Sequence, residues 1–481
     1  MDERSDIPFL NELRGQLQTA ARTESERLNG TAGRLDAPVG RGRSWRRLAL
    51  VIVAAAAIAF GGLMLTQGSL RAQVFDLLQF WGPPRMGVPR AAQKAYVVDC
   101  VVADPGGTLW ASGKVGMGPT ASPFATYWSG HGWTFLPTPS QQGTPLYGIR
   151  ALAPLSPDDV WGITGGGEEG DSIIHWDGRR WTTTAYPDQA KAILSDIVAV
   201  APGGVWAVGQ RQSGTYLGSV RSSEKSAAYQ PLALHWDGLA WRSVTVPRLP
   251  GQRSGLAAAV ALPDGTVWAV GSLERVLRPR AEKNASRQDK RHESVALRWD
   301  GRRWERVPTP NPGRRGSWLV DVAAAGRDDA WAVGASDISR GPARQDQTPM
   351  IERWDGRSWT PVPWAPSLDS RDLLWSVAVI GARDVWIAGS HFGMPLAARW
   401  DGVGWDSSVS RSLRADIRRR VREEPAAGIG GQAMLAAAGP DDLWLNTAST
   451  LVPWSRTPAP GTGGPSIYRW DGRSWTWVEL P

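Results

Sequence analysis

One phrase is written seven times along this 481-residue chain, and any fold must accommodate it at every copy. HWDGRRW runs over 175–181, HWDGLAW over 235–241, RWDGRRW over 298–304, RWDGRSW over 353–359, RWDGVGW over 399–405 and RWDGRSW over 469–475. A worn copy, YWSGHGW, occupies 127–133. Upstream of each lies a second phrase of the type DVWAVGS, at 107–113, 159–165, 204–210, 266–272, 329–335, 384–390 and 442–448. An apolar segment precedes that, as in SDIVAVAP (195–202), LVDVAAAG (319–326) and WSVAVIGA (375–382). Units recurring about every 45–63 residues mark a repeat array.

Each apolar run is short, rich in β-branched and aromatic residues, and bounded by Gly, Pro or Asp, which reads as strand. Asp-Gly between two such runs signals a tight hairpin, because Gly takes the positive φ the turn needs. One unit is therefore a four-stranded antiparallel meander, A-B-C-D. The hairpin residues are Trp176, Asp177, Gly178 and Trp181; Trp236, Asp237, Gly238 and Trp241; Trp299, Asp300, Gly301 and Trp304; Trp354, Asp355, Gly356 and Trp359; Trp400, Asp401, Gly402 and Trp405; and Trp470, Asp471, Gly472 and Trp475. Side-chain parity puts both tryptophans of a hairpin on one face. A B-strand tryptophan such as Trp161 is expected to add a third ring to its own unit. Three per unit over seven units takes up 21 of the 28 tryptophans. One four-stranded sheet cannot bury both its faces alone, whereas radially stacked blades can. The expected fold is all-β, a seven-bladed propeller over 95–481. Trp318, Trp364, Trp375, Trp454, Trp477 and Trp81 stand outside the repeat and are the better ligand candidates.

The pattern resembles bacterial kelch-like and Asp-box propeller proteins. Asp-box repeats carry S-x-D-x-G-x-x-W at the hairpin between the last two strands; here D-G-x-x-W sits there, one residue shorter and without the Ser. The resemblance covers residues 95–481 and implies architecture. Its members include lectins, sialidase-like hydrolases, oxidases and inert scaffolds, so it does not select a function.

Leu48–Leu65, LALVIVAAAAIAFGGLML, carries no polar side chain and as a helix would be about 27 Å long, close to the hydrocarbon thickness of a bilayer. Arg41, Arg43, Arg46 and Arg47 precede it, and only Arg71, Asp76 and Arg85 follow over a similar distance. Basic flanks stay cytoplasmic, so the propeller is expected outside. A cleaved signal peptide has a shorter apolar core behind a shorter lead. The reading is a cytoplasmic tail over 1–47, a signal anchor over 48–67 with Trp45 at the membrane interface, and a linker over 68–94. Within the tail, Asp6–Arg27 reads as a helix with Phe9, Leu13 and Leu17 in one stripe.

Chemistry is sparse. The single cysteine, Cys100, sits in an apolar run and reads as a buried thiol. A sialidase-like site needs a tyrosine beside a carboxylate; Tyr147 and Tyr186 lie near joints between units, and neither has an E-x-Y or Y-x-E neighbour. His175 and His235 stand where other units use Arg and read as repeat residues. Asp158-Asp159, Asp328-Asp329 and Asp441-Asp442 read as turn formers. No calcium loop or phosphate-cradling glycine loop is present, so no cofactor or metal is expected. Net charge is +8, but the arginines are scattered, which argues against nucleic acid.

Length varies on one side of the units. Insertions fall at 211–230, 273–294 and 337–348 between B and C, and at 411–431 between units, where long loops build binding surfaces. Two are basic. The candidate binding residues are Arg278, Arg280, Lys283, Arg287, Lys290 and Arg291 in one, and Arg414, Arg418, Arg419, Arg420 and Arg422 in the other, which reads as helical. The expected function is a membrane-anchored extracytoplasmic scaffold that binds a protein or cell-envelope polymer. A propeller glycoside hydrolase or lectin is one alternative, and signal transfer through the N-terminal helix is another.

Overall fold

The strand-forming runs pair as seven successive antiparallel meanders, over 96–135, 149–184, 192–244, 253–307, 317–361, 372–406 and 434–478. The structure is a computed structural model that describes residues 96–480, except 117–120, 139–147, 166–169, 201–203, 218–224, 252, 277–289, 314–315, 337–347, 364–371, 392–393, 424–432 and 448–466. The tail, anchor and linker expected over 1–94 lie outside the described residues, as do Trp45, Trp81, Trp364 and Trp454. Among the described residues no helix is long and apolar enough to cross a membrane.

Five meanders form separate four-stranded sheets, and the third and fourth merge into one of eight strands. The merger is a single parallel pair, Tyr229 with Arg253, with the Arg253 guanidinium 5.6 Å from the centre of the Tyr229 ring. The first strand of each meander lies against the first strand of the next, and that of the seventh lies against that of the first. The chain thus forms a closed ring of sheets, with the A strands innermost.

Six of the hairpins are built the same way, and in the first the Ser129 hydroxyl donates to the Gly132 carbonyl instead. In the second meander Trp176 and Trp181 are directly opposed, their ring centroids 5.7 Å apart. Between them the Asp177 carboxylate accepts the backbone N–H groups of Arg179 (2.9 Å) and Arg180 (2.8 Å), and Gly178 takes φ +82°. Those donors hold the carboxyl of Asp177 below the usual carboxylate range. Asp237, Asp300, Asp355, Asp401 and Asp471 repeat the turn.

The third tryptophan does not join its own hairpin. Trp161 is paired with His175, one residue before Trp176, so it projects from the opposite face of the sheet. It packs instead on Trp236 (4.9 Å) and Trp241 (5.5 Å) of the next meander. Trp206 meets Trp299 and Trp304, Trp268 meets Trp354 and Trp359, Trp331 meets Trp400 and Trp405, and Trp386 meets Trp470 and Trp475. Trp444 closes the series on Trp128 (5.5 Å) and Trp133 (5.8 Å) of the first meander. The repeated phrase is therefore a clasp between sheets. Its B-strand member is fully buried at Trp110, Trp268, Trp331, Trp386 and Trp444.

The residue before each C-strand tryptophan covers the B-strand ring, which explains the recurring Arg-Trp. Arg353 lies 5.2 Å over Trp331 and is held in bidentate fashion by Asp329 at 2.9 and 3.1 Å. Arg399 with Asp384, and Arg469 with Asp442, do the same over Trp386 and Trp444. A guanidinium fork matches a carboxylate and stacks on an indole at once. His175 substitutes over Trp161 at 4.1 Å with Asp159 at 2.8 Å, and His235 covers Trp206 at 4.5 Å. The second aspartate of each turn pair thus fixes the cover of the ring.

Two of the expected loops are strand wherever they are described. Residues 211–217 and 225–230 continue the B and C strands of the third meander, and 273–276 and 290–294 those of the fourth. The B and C strands keep pairing beyond the apolar core, with a register shift between Gln212 and Gly214 in the third meander. Both extended C strands bridge to the next meander, through Tyr229–Arg253 and His292–Gly316.

Candidate functional site

The insert after the sixth meander folds as helix α1, Ser410–Glu423, the helix expected from its charge-rich sequence. The outer strand before it, Trp405–Asp406, has only two residues. In the first and fifth meanders the outer strand continues, so that Leu136 and Val362 donate to the carbonyls of Ala125 and Ile351. Ala397 is the equivalent of Ile351, and among the described residues no outer-strand residue reaches it. Instead the Ser410 hydroxyl accepts the Ala397 N–H at 2.8 Å and donates to the Ala397 carbonyl at 2.5 Å. One buried side chain satisfies the sheet edge that the shortened strand leaves open.

The faces of α1 then divide. Val409, just ahead of the helix, and Leu413 and Ile417 within it are buried among Leu443, Tyr468 and Trp470 of the seventh meander. The Ser412 hydroxyl accepts the Trp475 N–H at 3.2 Å. Arg411, Arg418 and Arg419 are exposed and Arg414 is half-buried. Arg419 pairs with Asp416, and Arg414 donates to the Ser410 carbonyl at 3.4 Å. Arg411, Arg414 and Arg418 make no ion pair among the described residues. Arg420 and Arg422 belong to the helix, but their side chains lie outside the description. An open groove of about 670 Å³ runs between α1 and the last strand, lined by Ser412, Ala415, Asp416, Arg419, Trp475, Thr476 and Trp477.

Arg278, Arg280, Lys283 and Arg287 lie outside the described residues, Lys290 only continues a strand, and Arg291 is exposed. Acids offset the charge nearby: Glu293 lies 3.6 Å from Arg275 and 3.8 Å from Arg306. Arg411, absent from the sequence reading, joins the α1 stripe; its spacing of three and seven residues from Arg414 and Arg418 was visible in the sequence.

The candidates for chemistry are occupied structurally. Tyr186 is buried, donates its hydroxyl to the Asp171 carbonyl at 2.7 Å, and has its pKa raised by burial. Asp171 holds Arg150 at 2.7 Å and the Leu194 N–H at 2.7 Å. Burial pushes the Cys100 thiol up to about 12, far from the thiolate a nucleophile needs. Asp372 is buried and bound to His391 Nδ1 at 2.5 Å. Tyr147 lies outside the described residues. Among the described residues no group of three His, Cys, Asp or Glu could hold a metal ion.

No family model and no curated protein matches the chain. Solved structures do. An ulvan lyase of polysaccharide lyase family PL25 superposes with a TM-score of 0.51 at 10% identity, over 80% of this chain and 97% of that one. YCF48 bound to a D1 peptide gives 0.44 at 14% identity, over 81% and 96%. The six-bladed fucose-recognising lectin of Aleuria aurantia gives 0.36 at 10%, over 79% and 93%. At such identities what is shared is the fold: the chain is a β-propeller repeat protein.

Proposed function

We propose that the ring has seven blades, that the chain is anchored through Leu48–Leu65 with the propeller outside, and that it serves there as a scaffold binding an acidic protein or cell-envelope polymer through α1. The blade count rests on the seven meanders, with the eight-stranded sheet read as two blades joined at one residue pair. The anchor rests on the apolar stretch and its arginine asymmetry.

The observation that carries the binding role is the division of α1. One face is locked into the sixth and seventh meanders, while Arg411 and Arg418 stand exposed and without ion pairs among the described residues. A rigid cationic stripe attracts acidic surfaces and keeps its geometry on binding. The test is to reverse Arg411, Arg414 and Arg418 to Glu and measure retention of the full chain on isolated cell envelope over a salt series. Retention should fall for the wild type as the screening length contracts toward about 8 Å at physiological salt, and should be lost in the variant even at low salt. Equal retention of both proteins at low salt, with equal melting temperatures, removes α1 from the function.

A further inference from the structure

The geometry points to a second binding site, on the propeller axis, that takes one neutral pyranose unit of a glycan through Asp99, Arg150 and Trp375. It goes beyond the role of α1 and does not rest on it.

The first six A strands each carry a register shift at the same place, so one extra residue stands out of the pairing. These residues are Asp99, Arg150, Ser195, Ala257, Val320 and Trp375. Their neighbours fix where they face. Val98 is buried against the preceding meander and Cys100 against the following one. Leu256 and Ala258 divide the same way. Leu194 and Leu319 pack backward, whereas Asp196 and Asp321 reach forward to the N–H groups of Ala259 (2.9 Å) and Val377 (2.8 Å). A residue between one that turns back and one that turns forward, on the innermost strand of a ring, faces the axis. In keeping with this, Arg150 and Ser195 are exposed, and Asp99, Ala257, Val320 and Trp375 are partly so.

A bulge bends a strand without needing a particular side chain, and Ala257 shows that a methyl group suffices. The bend therefore does not account for a carboxylate, a guanidinium and an indole at the other positions. In ring order the polar residues Asp99, Arg150 and Ser195 form one arc, and Ala257, Val320 and Trp375 an apolar one. The Asp99 carboxylate makes no hydrogen bond or ion pair among the described residues; burial pushes it up to about 6, against the pull of Lys114 and Arg150. Arg150 is steadied by Asp171 and the Leu194 carbonyl, yet its side chain stays 42% exposed.

The ligand class follows from these groups. Lys114 and Arg150 near Asp99 disfavour a cation, and Asp99 disfavours an anion. A carboxylate and a guanidinium on one side supply acceptor and donor for neighbouring hydroxyls, and an indole on the other offers a flat face for the C–H side of a sugar ring. A concave site with a few fixed polar groups and an apolar wall suits such a ligand.

The full-length chain, in a detergent without a sugar headgroup, would be applied to an array carrying neutral oligosaccharides, uronic-acid oligosaccharides and acidic and basic peptides. Neutral oligosaccharides should be retained. Calorimetry with a retained oligosaccharide free in solution should show at least tenfold weaker binding for Asp99→Ala and for Trp375→Ala. Trp375→Phe, which keeps a flat face, should lose less, and the α1 charge reversal should leave this affinity unchanged. Retention of charged ligands only, of nothing, or of neutral sugars with equal affinity by wild type and by Asp99→Ala and Trp375→Ala variants that melt normally, overturns the site.

Discussion

Glu352 lies where a carboxyl group is least expected, and its cost can be worked out. It stands two residues before Trp354; the equivalent residues of the second, third and fourth meanders are Ile174, Leu234 and Leu297. It is 0% exposed, and neither carboxyl oxygen has a hydrogen-bond partner among the described residues. Burial pushes its pKa up to about 8. An acid whose folded pKa is raised is penalised on ionising: between the unfolded value near 4.3 and the folded value, the unfolded chain gives up the proton and the native protein does not. Stability therefore falls as pH rises through that window and levels off above it, by a total on the order of 5 kcal/mol. Asp196 and Asp321, raised by burial to about 6 and 7, act in the same direction, so the wild type alone cannot isolate the effect. Glu352→Leu can, since its neighbours already use leucine there. Urea unfolding of both proteins from pH 4.5 to 8.5 should show the leucine variant gaining progressively, with most of its advantage appearing above pH 5. An advantage independent of pH would mean that Glu352 is not held neutral in the interface, and the burial argument would fail.

Other consequences are as specific. Ser410→Ala leaves two backbone groups of Ala397 unpaired and should cost about 1–3 kcal/mol in urea unfolding, whereas Arg418→Ala on the exposed face should cost almost nothing. Trp354→Ala removes a clasp member and should cost about 3–5 kcal/mol; a loss no larger than that of the Arg418 control would contradict its core role. Protease added to intact cells should release a fragment close to the whole propeller, and cleavage confined to the first 45 residues would reverse the proposed orientation.

The hairpins were legible because their information is local. Asp-Gly fixes the turn, parity puts Trp176 and Trp181 on one face, and six copies repeat the result. The partner of Trp161 was not legible from the unit taken alone. Its pairing with His175 sends it to the far face, so its contacts belong to the next unit. The same limit hid α1's anchorage: its charges were evident, but that Ser410 would replace an outer strand depends on where that strand stops. The axial residues were the least visible. A bulge arises from the pairing of two strands, and nothing in VVDCVV or LSDIVAV marks Asp99 or Ser195 as the unpaired one. Trp375 was singled out only because it fell outside the repeat.

The central claim is that the tryptophan phrase clasps each sheet to the next and that the last clasp closes the ring. Trp133 and Trp444 test it, for they are far apart in sequence, belong to the first and last meanders, and stand 5.8 Å apart. A double-mutant cycle with Trp133→Ala, Trp444→Ala and the pair, read by urea unfolding, measures their coupling alone. A closed ring predicts a coupling of about 0.5–1.5 kcal/mol, as for other packed aromatic pairs. Strict additivity of the two single losses would mean that the ends do not meet.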